Sequence, residues 1–153
     1  MDNTAAQAIL DKVIGQICGY QNPFSLEQFQ AKYAFDVRLP QQVTDTTTGQ
    51  ATWSQSPNPS KFITTENAWK RLDWDNRPKR DLKNIQDIIS AWNEINYTAT
   101  ERHIDSINVG ESDNIYGSEN VYRSQDIRGC KNVLFSDGVG DSESIVACQR
   151  SNA

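Results

Sequence analysis

The side chains that could carry out chemistry are few and widely spaced. His103 is the only histidine, and an imidazole can serve as a general base. No second titratable residue stands at a fixed spacing from it, so a structural role is the favoured interpretation. Cys18, Cys130 and Cys148 lack the CxxC spacing of a metal site, and we expect them to be free thiols in a reducing compartment. We therefore predict no catalytic residue.

Two other stretches contain residue types that occur at binding sites, one rich in glycine and aspartate and the other basic. Asp137–Glu143 resembles one incomplete copy of the glycine–aspartate loops of calcium-binding β-rolls, and turn formation explains the same glycines. The basic run Lys79–Lys83, with Lys70, Arg71 and Arg77 nearby, is interleaved with acidic residues, which favours a solvated surface whose charges neutralise one another. The acidic residues are Asp73, Asp75 and Asp81. No phosphate-binding glycine loop is recognisable. We therefore predict neither a metal nor a cofactor.

Charge and hydropathy disfavour two classes of partner. Fifteen basic against twenty acidic residues give a net charge of -5, whereas nucleic-acid binding needs a positive footprint. Apolar runs such as Ile88–Ile89 are interrupted within a few positions, far short of the roughly 18 residues that span a membrane. The first residues do not match a signal peptide. We therefore expect a soluble protein of the cytoplasm or of a virion, with no membrane or nucleic-acid partner.

Two helices are predicted near the N-terminus. The first has an apolar stripe at three- and four-residue intervals and a stop at Gly19. The stripe consists of Ile9, Leu10, Val13, Ile14 and Ile17. The second helix begins with a capping box of Ser25 and Gln28, and Phe24 with Phe29 fits a hydrophobic staple. Both helices therefore have sequence signals for their starts or stops as well as for their faces.

The next stretch is predicted to be irregular. Thr44–Gly49 forms a turn between two short extended pieces, and Ser56–Ser60 forms a loop because its two prolines cannot continue regular pairing. A third helix follows Thr65 or Glu66 and buries Trp69. We interpret all four tryptophans as large fillers of a small core. They are Trp53, Trp69, Trp74 and Trp92.

A fourth helix has the clearest amphipathic pattern, with Asp81 available as its cap. Its continuous apolar face is formed by Leu82, Ile85, Ile88, Ile89, Trp92 and Ile95. This helix leads directly into the C-terminal part of the chain.

From residue 102 onward the sequence repeats every six residues. Seven of the eight repeats, Val109 to Ile145, begin with valine or isoleucine, and all eight have serine or cysteine at the fourth position. The residue before each aliphatic is mostly asparagine, aspartate or glycine, the types that tolerate a left-handed backbone at a corner. A period of six would scatter the aliphatic residues around a helix. The tract is therefore predicted to be a β-solenoid.

The inward-pointing residues of this solenoid follow from the register. They are Val109, Ile115, Val121, Ile127, Val133, Val139 and Ile145. Residues 1–100 then form a mixed, mainly helical N-terminal region, and residues 101–153 form a β-solenoid of hexapeptide repeats. The predicted fold class is α+β, a helical and irregular region followed by a parallel β-helix.

The repeats resemble those of hexapeptide-repeat β-helices. In the left-handed acyltransferase helices of that class, a small residue follows the aliphatic one after four positions, whereas the interval here is three. This interval is more similar to the flattened, tightly wound solenoids of some insect antifreeze proteins. The tract also resembles serine-, asparagine- and cysteine-rich tracts of uncharacterised bacterial and bacteriophage proteins. The resemblance covers about 48 residues and implies a fold, not an activity.

The number of repeats in each coil decides which side chains stack. Three repeats per coil would place Cys130 over Cys148. Two repeats per coil stack residues that are twelve apart, and the small serines near the axis favour this narrower coil. The narrower coil gives an outward apolar column, consisting of Tyr122, Leu134, Phe135 and Val146.

An exposed apolar column requires a cover, so these four residues are predicted to form an interface. The helix of residues 82–95 is the nearest candidate within the chain, and a neighbouring subunit is the other. The repeat register runs to Cys148 with only five residues after it, which leaves an open coil. We therefore expect protein partners or self-association through the solenoid face and this open coil.

Two functions remain open from the sequence. The favoured one is a non-catalytic structural or interaction protein, a virion or other assembly component that uses the solenoid as a rigid docking element. The alternative, implied by the resemblance, is an acyltransferase-like enzyme with His103 as general base near a coenzyme A groove. His103 lies at an inward position and no long loop is inserted in the repeats, so the first function is preferred.

Overall fold

The computed structural model describes residues 1–56, 61–71 and 78–152. N-terminal helices are followed by a C-terminal parallel β-solenoid of about four turns, as the sequence predicted.

Helix α1 (Asn3–Cys18) begins and ends at recognisable caps. The carboxylate of Asp2 accepts a hydrogen bond from the amide of Ala5 at 2.8 Å, which satisfies a free donor of the first turn. Gly19 ends the helix in the left-handed conformation, with φ 71°, as predicted. Ile17 departs from the predicted stripe and is 58% exposed. The buried face consists of Ala6, Leu10, Val13 and Ile14.

Helix α2 (Leu26–Tyr33) begins with the predicted capping box. The hydroxyl of Ser25 accepts from the amide of Gln28, and the Gln28 side chain accepts from the amide of Ser25 at 3.0 Å. Phe24 packs edge-on against Tyr33, with ring centroids 5.7 Å apart. These contacts fix the angle at which the chain enters the helix.

A small β structure follows. Strands β1 (Gln41–Thr44) and β2 (Ala51–Ser54) form an antiparallel hairpin around the predicted turn. The next strand, β3 (Phe62–Thr64), leads into the short helix α3 (Thr65–Lys70). After α4 (Ile85–Ile95), strand β4 (Thr98–Thr100) pairs in parallel with β3. This pairing carries the chain back to the point where the solenoid begins.

The prediction that the tryptophans fill a core is wrong for Trp69 and Trp92. Trp69 is 77% exposed and Trp92 is 57% exposed, while Trp53 is half-buried. Trp74 and most of the predicted loop Ser56–Ser60 lie outside the described residues. Aromatic size alone predicted burial, but burial depends on a facing surface that α3 and α4 do not have here.

The solenoid consists of nine short strands in two parallel sheets. In chain order they are β5 (His103–Ile104), β6 (Ile107–Gly110), β7 (Asp113–Tyr116), β8 (Glu119–Tyr122), β9 (Gln125–Arg128), β10 (Lys131–Leu134), β11 (Asp137–Gly140), β12 (Glu143–Val146) and β13 (Gln149–Asn152). The even-numbered strands form one sheet, in the order β12-β10-β8-β6. The odd-numbered strands form the other, in the order β13-β11-β9-β7-β5.

Each coil contains twelve residues, which is two repeats. Val133 pairs with Val121 on one side and with Ile145 on the other, twelve positions away in each direction. The narrow coil is therefore the correct alternative. Cys130 follows β9 of one sheet, whereas Cys148 follows β12 of the other sheet. The cysteine stack of the wider coil therefore does not form.

The backbone turns at two left-handed positions in each repeat, not one. The predicted position, immediately before the aliphatic residue, has φ of 56° at Asn108 and 63° at Asn114. A second position, two residues after the aliphatic one, has φ of 43° at Arg123 and 52° at Phe135. Glycine or aspartate fills this position in four of the eight repeats, and other residue types pay roughly 1–2 kcal/mol there, so the sequence signal for it is weak.

The interior is a single cluster of aliphatic side chains to which both sheets contribute. Ile115, Val121, Ile127 and Val133 are fully buried. Val139 is 2% exposed, and Val109 and Ile145 pack against the cluster from the two ends. All seven residues derived from the register thus lie inside the solenoid.

Serine at the fourth position joins each coil to the next. The hydroxyl of Ser124 donates to the carbonyl oxygen of Tyr122 at 2.9 Å and accepts from the amide of Ser136 at 3.1 Å. Equivalent amide-to-hydroxyl bonds span twelve residues at distances of 3.1 to 3.2 Å along both edges of the solenoid. Each hydroxyl uses its proton and a lone pair on backbone groups, which need partners once they are buried.

An asparagine ladder runs beside the β6–β10 sheet. Nδ2 of Asn108 donates to Oδ1 of Asn120 at 2.7 Å, and Nδ2 of Asn120 donates to Oδ1 of Asn132 at 2.9 Å. The next position in the column is Ser144, and Nδ2 of Asn132 is buried without a partner. The ladder therefore ends where the repeat departs from asparagine.

Replacing Val121 with Asp should unfold the solenoid. The Val121 side chain is fully buried between the two sheets. An unpaired carboxylate there costs several kcal/mol, which is comparable to the whole stability of a small domain. Urea unfolding followed by circular dichroism measures the loss. Ile107→Asp is the matched control because Ile107 is 71% exposed, and it should change the free energy of unfolding by less than about 1 kcal/mol. Equal stability of the two variants would show that the register is wrong.

Candidate functional site

The predicted interface column lies beneath the N-terminal helices of the same chain. Tyr122 is 1% exposed, and Leu134 and Phe135 are fully buried. Val146 is partly buried in the same cluster. The helical residues that cover them are Ala6, Leu10, Ile14, Leu26 and Phe29. The expectation that residues 82–95 or a neighbouring subunit cover this column is therefore wrong, because α1 and α2 do so.

Specific contacts fix α1 on the solenoid. The hydroxyl of Tyr122 donates to Oδ1 of Asn3 at 2.8 Å, and burial raises the pKa of Tyr122 to about 12. The amine of Met1 donates to the carbonyl oxygen of Val109 at 2.9 Å. Gly110 leaves room for this approach, since a Cβ there would lie 2.4 Å from the Met1 carbonyl oxygen. The first coil is thus shaped to receive the start of α1.

The opposite face of the solenoid is open. At the repeat position that holds Leu134 on the covered sheet, the odd-numbered strands carry Tyr116, Arg128 and Gly140. Arg128 stacks over the Tyr116 ring with its guanidinium carbon 5.4 Å from the centroid. A shallow cleft of about 520 Å³ beside it is lined by Arg128, Arg150 and the two glycines at 138 and 140. Alternate repeats therefore differ in character because they face opposite sides.

A buried ion pair joins the hairpin to the first coil. Asp113 is fully buried, and Oδ2 lies 2.9 Å from Nη2 of Arg102. The same carboxylate accepts from the backbone amides of Gln55 and Arg102, at 2.8 and 3.0 Å. Hydrogen bonding to Asp113 raises the pKa of Arg102. Asp113 thus connects β2's end, the solenoid entry and β7.

A second buried carboxylate, Asp45, organises the turn of the hairpin. It accepts hydrogen bonds from the amide and hydroxyl of Thr47, from the amide of Thr64 and from Nδ2 of Asn67, at 2.5 to 3.0 Å. Burial alone would raise the pKa of Asp45, but these donors, led by the Thr47 hydroxyl, outweigh it and lower the pKa. The charged carboxylate is therefore the form that holds the hairpin to β3 and α3.

His103 makes a hydrogen bond at the entry of the solenoid. Nε2 lies 2.8 Å from the carbonyl oxygen of Ser112, which can only accept, so this nitrogen carries the proton and donates. The ring lies in register with Ile115, at the start of the aliphatic column. It also borders an open cleft of about 590 Å³ together with Trp69 and Glu101. The geometry gives His103 a defined structural contact at the solenoid entry.

Helix α4 was predicted as a candidate cover for the solenoid column, and its apolar face is exposed. It begins after the N-cap Asn84, not at Asp81, because Oδ1 of Asn84 accepts from the amides of Gln86 and Asp87 at 2.9 and 3.0 Å. None of its described side chains is buried. Its apolar residues, with Leu82 just before the helix, are 44 to 64% exposed, and they are Leu82, Ile85, Ile88, Ile89, Trp92 and Ile95.

Within residues 1–56, 61–71 and 78–152, no cluster of three or more His, Cys, Asp or Glu side chains is placed to hold a metal ion. No helix in this described part of the chain has the length and apolar character to cross a membrane. Comparisons with known proteins found no matching family model, no matching curated protein and no matching solved structure.

Leu134→Lys should detach the helices from the solenoid. The fully buried leucine packs beneath α1, so a lysine there should lower the free energy of unfolding by roughly 3–5 kcal/mol. Arg128→Ala is the matched control, at the same repeat position on the open face, and should cost less than about 0.5 kcal/mol. Urea midpoints measure both, and similar losses at the two sites would contradict the assignment of covered and open faces.

Asp45→Asn should show when the Asp45 charge stabilises the fold. A carboxylate whose pKa is lowered by folding contributes stability above its unfolded pKa, about 3.9, and loses this contribution as the pH falls below that value. At pH 7 the variant should be less stable by about 2–3 kcal/mol, since several buried donors lose a charged acceptor. The difference in free energy of unfolding between wild type and variant, measured with urea, should shrink as the pH falls from about 5 to about 2. A gap independent of pH would contradict this assignment.

Proposed function

We propose that this chain is a non-catalytic structural or interaction protein, a component of a larger assembly such as a bacteriophage particle. In this proposal the β-solenoid is a rigid docking element. The observation that carries the proposal is the apolar face of α4, whose isoleucines and Trp92 are exposed by 44 to 64%. Contiguous exposed apolar surface of this kind is typical of protein contact sites.

The repeat supports the proposal because its polar groups are used for stability. Each of these serine hydroxyls donates to a backbone carbonyl of its own coil and accepts from a backbone amide of the next coil. The asparagine side chains form hydrogen bonds with each other. A coil held in this way has little freedom to move, which suits a scaffold. A structural role for the repeats leaves binding to the surfaces that flank them.

The position of α4 also supports a docking role. Only Asn96 and Tyr97 separate its end from β4, and β4 is fixed by pairing with β3. The hydroxyls of Thr100 and Thr52 are bonded to each other at 2.8 Å in the interior. The helix is thus attached close to a rigid part of the fold, so a partner bound to α4 would be held near the solenoid.

The competing acyltransferase-like function predicts a measurable affinity that the proposed function does not. We expect no acyl transfer from acetyl- or succinyl-coenzyme A and no binding of coenzyme A in the micromolar range, because Nε2 of His103 is engaged with the Ser112 carbonyl oxygen. Isothermal titration calorimetry and a thiol-release assay make the two measurements on wild type and on His103→Ala. Micromolar binding that is lost in His103→Ala would overturn the proposed function.

A further inference from the structure

We propose that the partner of α4 is a second copy of this chain, and that two copies pair through their α4 helices in antiparallel orientation. The inference deepens the proposed function and rests on it, since it names the occupant of the same apolar face.

The area fits a small but specific interface. Six large apolar side chains between Leu82 and Ile95 are about half exposed, which corresponds to apolar surface on the order of 500 Å². Pairing two copies would then bury about 1,000 Å², the lower bound of specific protein interfaces. A two-fold pair buries the same face on both copies, so it reaches this size without any other part of the surface.

The charges of α4 lie away from the apolar face. At 100° per residue, Asp87 and Glu94 project from the side opposite Ile85, Ile88 and Trp92. Two copies of a chain with net charge -5 can therefore bring these faces together without placing carboxylates between them. The same acidic side disfavours an anionic lipid surface, because helices that lie on such membranes present lysine and arginine there.

The partial charges at the helix ends favour the antiparallel orientation. Glu94 lies on the polar side of the last turn and is paired with Arg80 at 2.6 Å, so it takes no part in the contact. An antiparallel pair places the N-terminal end of each helix, which carries partial positive charge, beside the C-terminal end of its partner, where the backbone carbonyls carry partial negative charge. A parallel pair would instead bring ends of like charge together.

A different apolar surface offers the main competing arrangement. The groove between α1 and α2 has a volume of about 350 Å³ and is lined by Ile14, Tyr20, Phe24, Tyr33 and Val146, among others. Insertion of α4 into this groove of another copy would be a head-to-tail contact, which adds copies until a ring closes or a filament grows. Pairing of α4 with α4 uses up both faces and stops at two copies.

The mass of the protein in solution tests the pairing. Light scattering and sedimentation between about 1 and 100 µM should show a monomer–dimer equilibrium with a micromolar dissociation constant. Ile88→Lys places a charge in the apolar face and should weaken pairing by at least roughly 30-fold. Ser90→Lys introduces the same charge on the polar side of α4 and should leave the dimer intact. Circular dichroism checks that both variants stay folded.

Disulfide cross-linking between cysteines introduced into α4 tests the orientation of the two helices. In a background with the exposed Cys18 changed to Ser, Ile89→Cys lies near the middle of an antiparallel pair and should form an intermolecular disulfide under mild oxidation. Ile85→Cys should not, because the two copies of this position are then more than about 10 Å apart along the helix axis. Cross-linking at both positions would indicate a parallel pair and overturn the proposed arrangement.

Four other outcomes would also overturn the inference. The first is a wild-type monomer up to about 100 µM, and the second is a dimer that survives Ile88→Lys. The third is a series of larger species that Tyr33→Lys abolishes, which would place α4 in the groove. The fourth is binding of monomers to vesicles of anionic lipid that depends on Ile88, which would assign the face to membranes. Coenzyme A binding would overturn the proposed function and leave the pairing unaffected, so the two failures are distinguishable.

Discussion

The solenoid depends on one hydroxyl group in each repeat. The Ser124 hydroxyl donates to a carbonyl two residues earlier and accepts from an amide twelve residues later. Both bonds form only if successive coils contain the same number of residues, so the serine fixes the length of the coil. Because the aliphatic side chains then stack at the same interval, the polar ladder and the apolar column enforce one register. Cys130 keeps the first bond, with its thiol donating to the carbonyl oxygen of Arg128 at 3.1 Å.

The twelve-residue coil also explains why one six-residue repeat has two kinds of surface. Consecutive repeats lie in opposite sheets, so side chains alternate between a face that α1 covers and a face that is open. Tyr122 and Leu134 on the covered face are buried, whereas Arg128 on the open face has a side chain 70% exposed. Packing of the helices against the solenoid thus makes one continuous apolar cluster from residues more than a hundred positions apart. The N-terminal helices are part of this core and not a separate layer.

Local patterns predicted most of the fold, while contacts between distant segments were not predictable. The capping box of Ser25, the stop at Gly19 and the inward aliphatic residues depend on near neighbours, and the sequence contains those neighbours. Covering Leu134 with α1 depends on which of several amphipathic helices fits the column, and apolar faces are not specific enough for a sequence to decide. Proximity in sequence favoured α4, yet α4 remains exposed. The second left-handed position had a weak signal, because residue types such as Arg123 and Phe135 that do not prefer this backbone interrupt the glycines and aspartates found there in other repeats.

Two buried carboxylates explain why α4 is held away from the solenoid. Asp113 ties the end of β2 to the first coil, and Asp45 ties the hairpin to β3 and α3. Both sets of bonds require a charged acceptor and particular donors, so they fix orientation more strictly than apolar packing does. With β3 positioned in this way, its partner β4 sets where the preceding helix ends. The column that α4 could have covered is already occupied by α1. Among the described residues, α4 and the short helix α3 have no buried side chain. The exposure of α4 is therefore a consequence of how the rest of the chain satisfies its own polar and apolar groups.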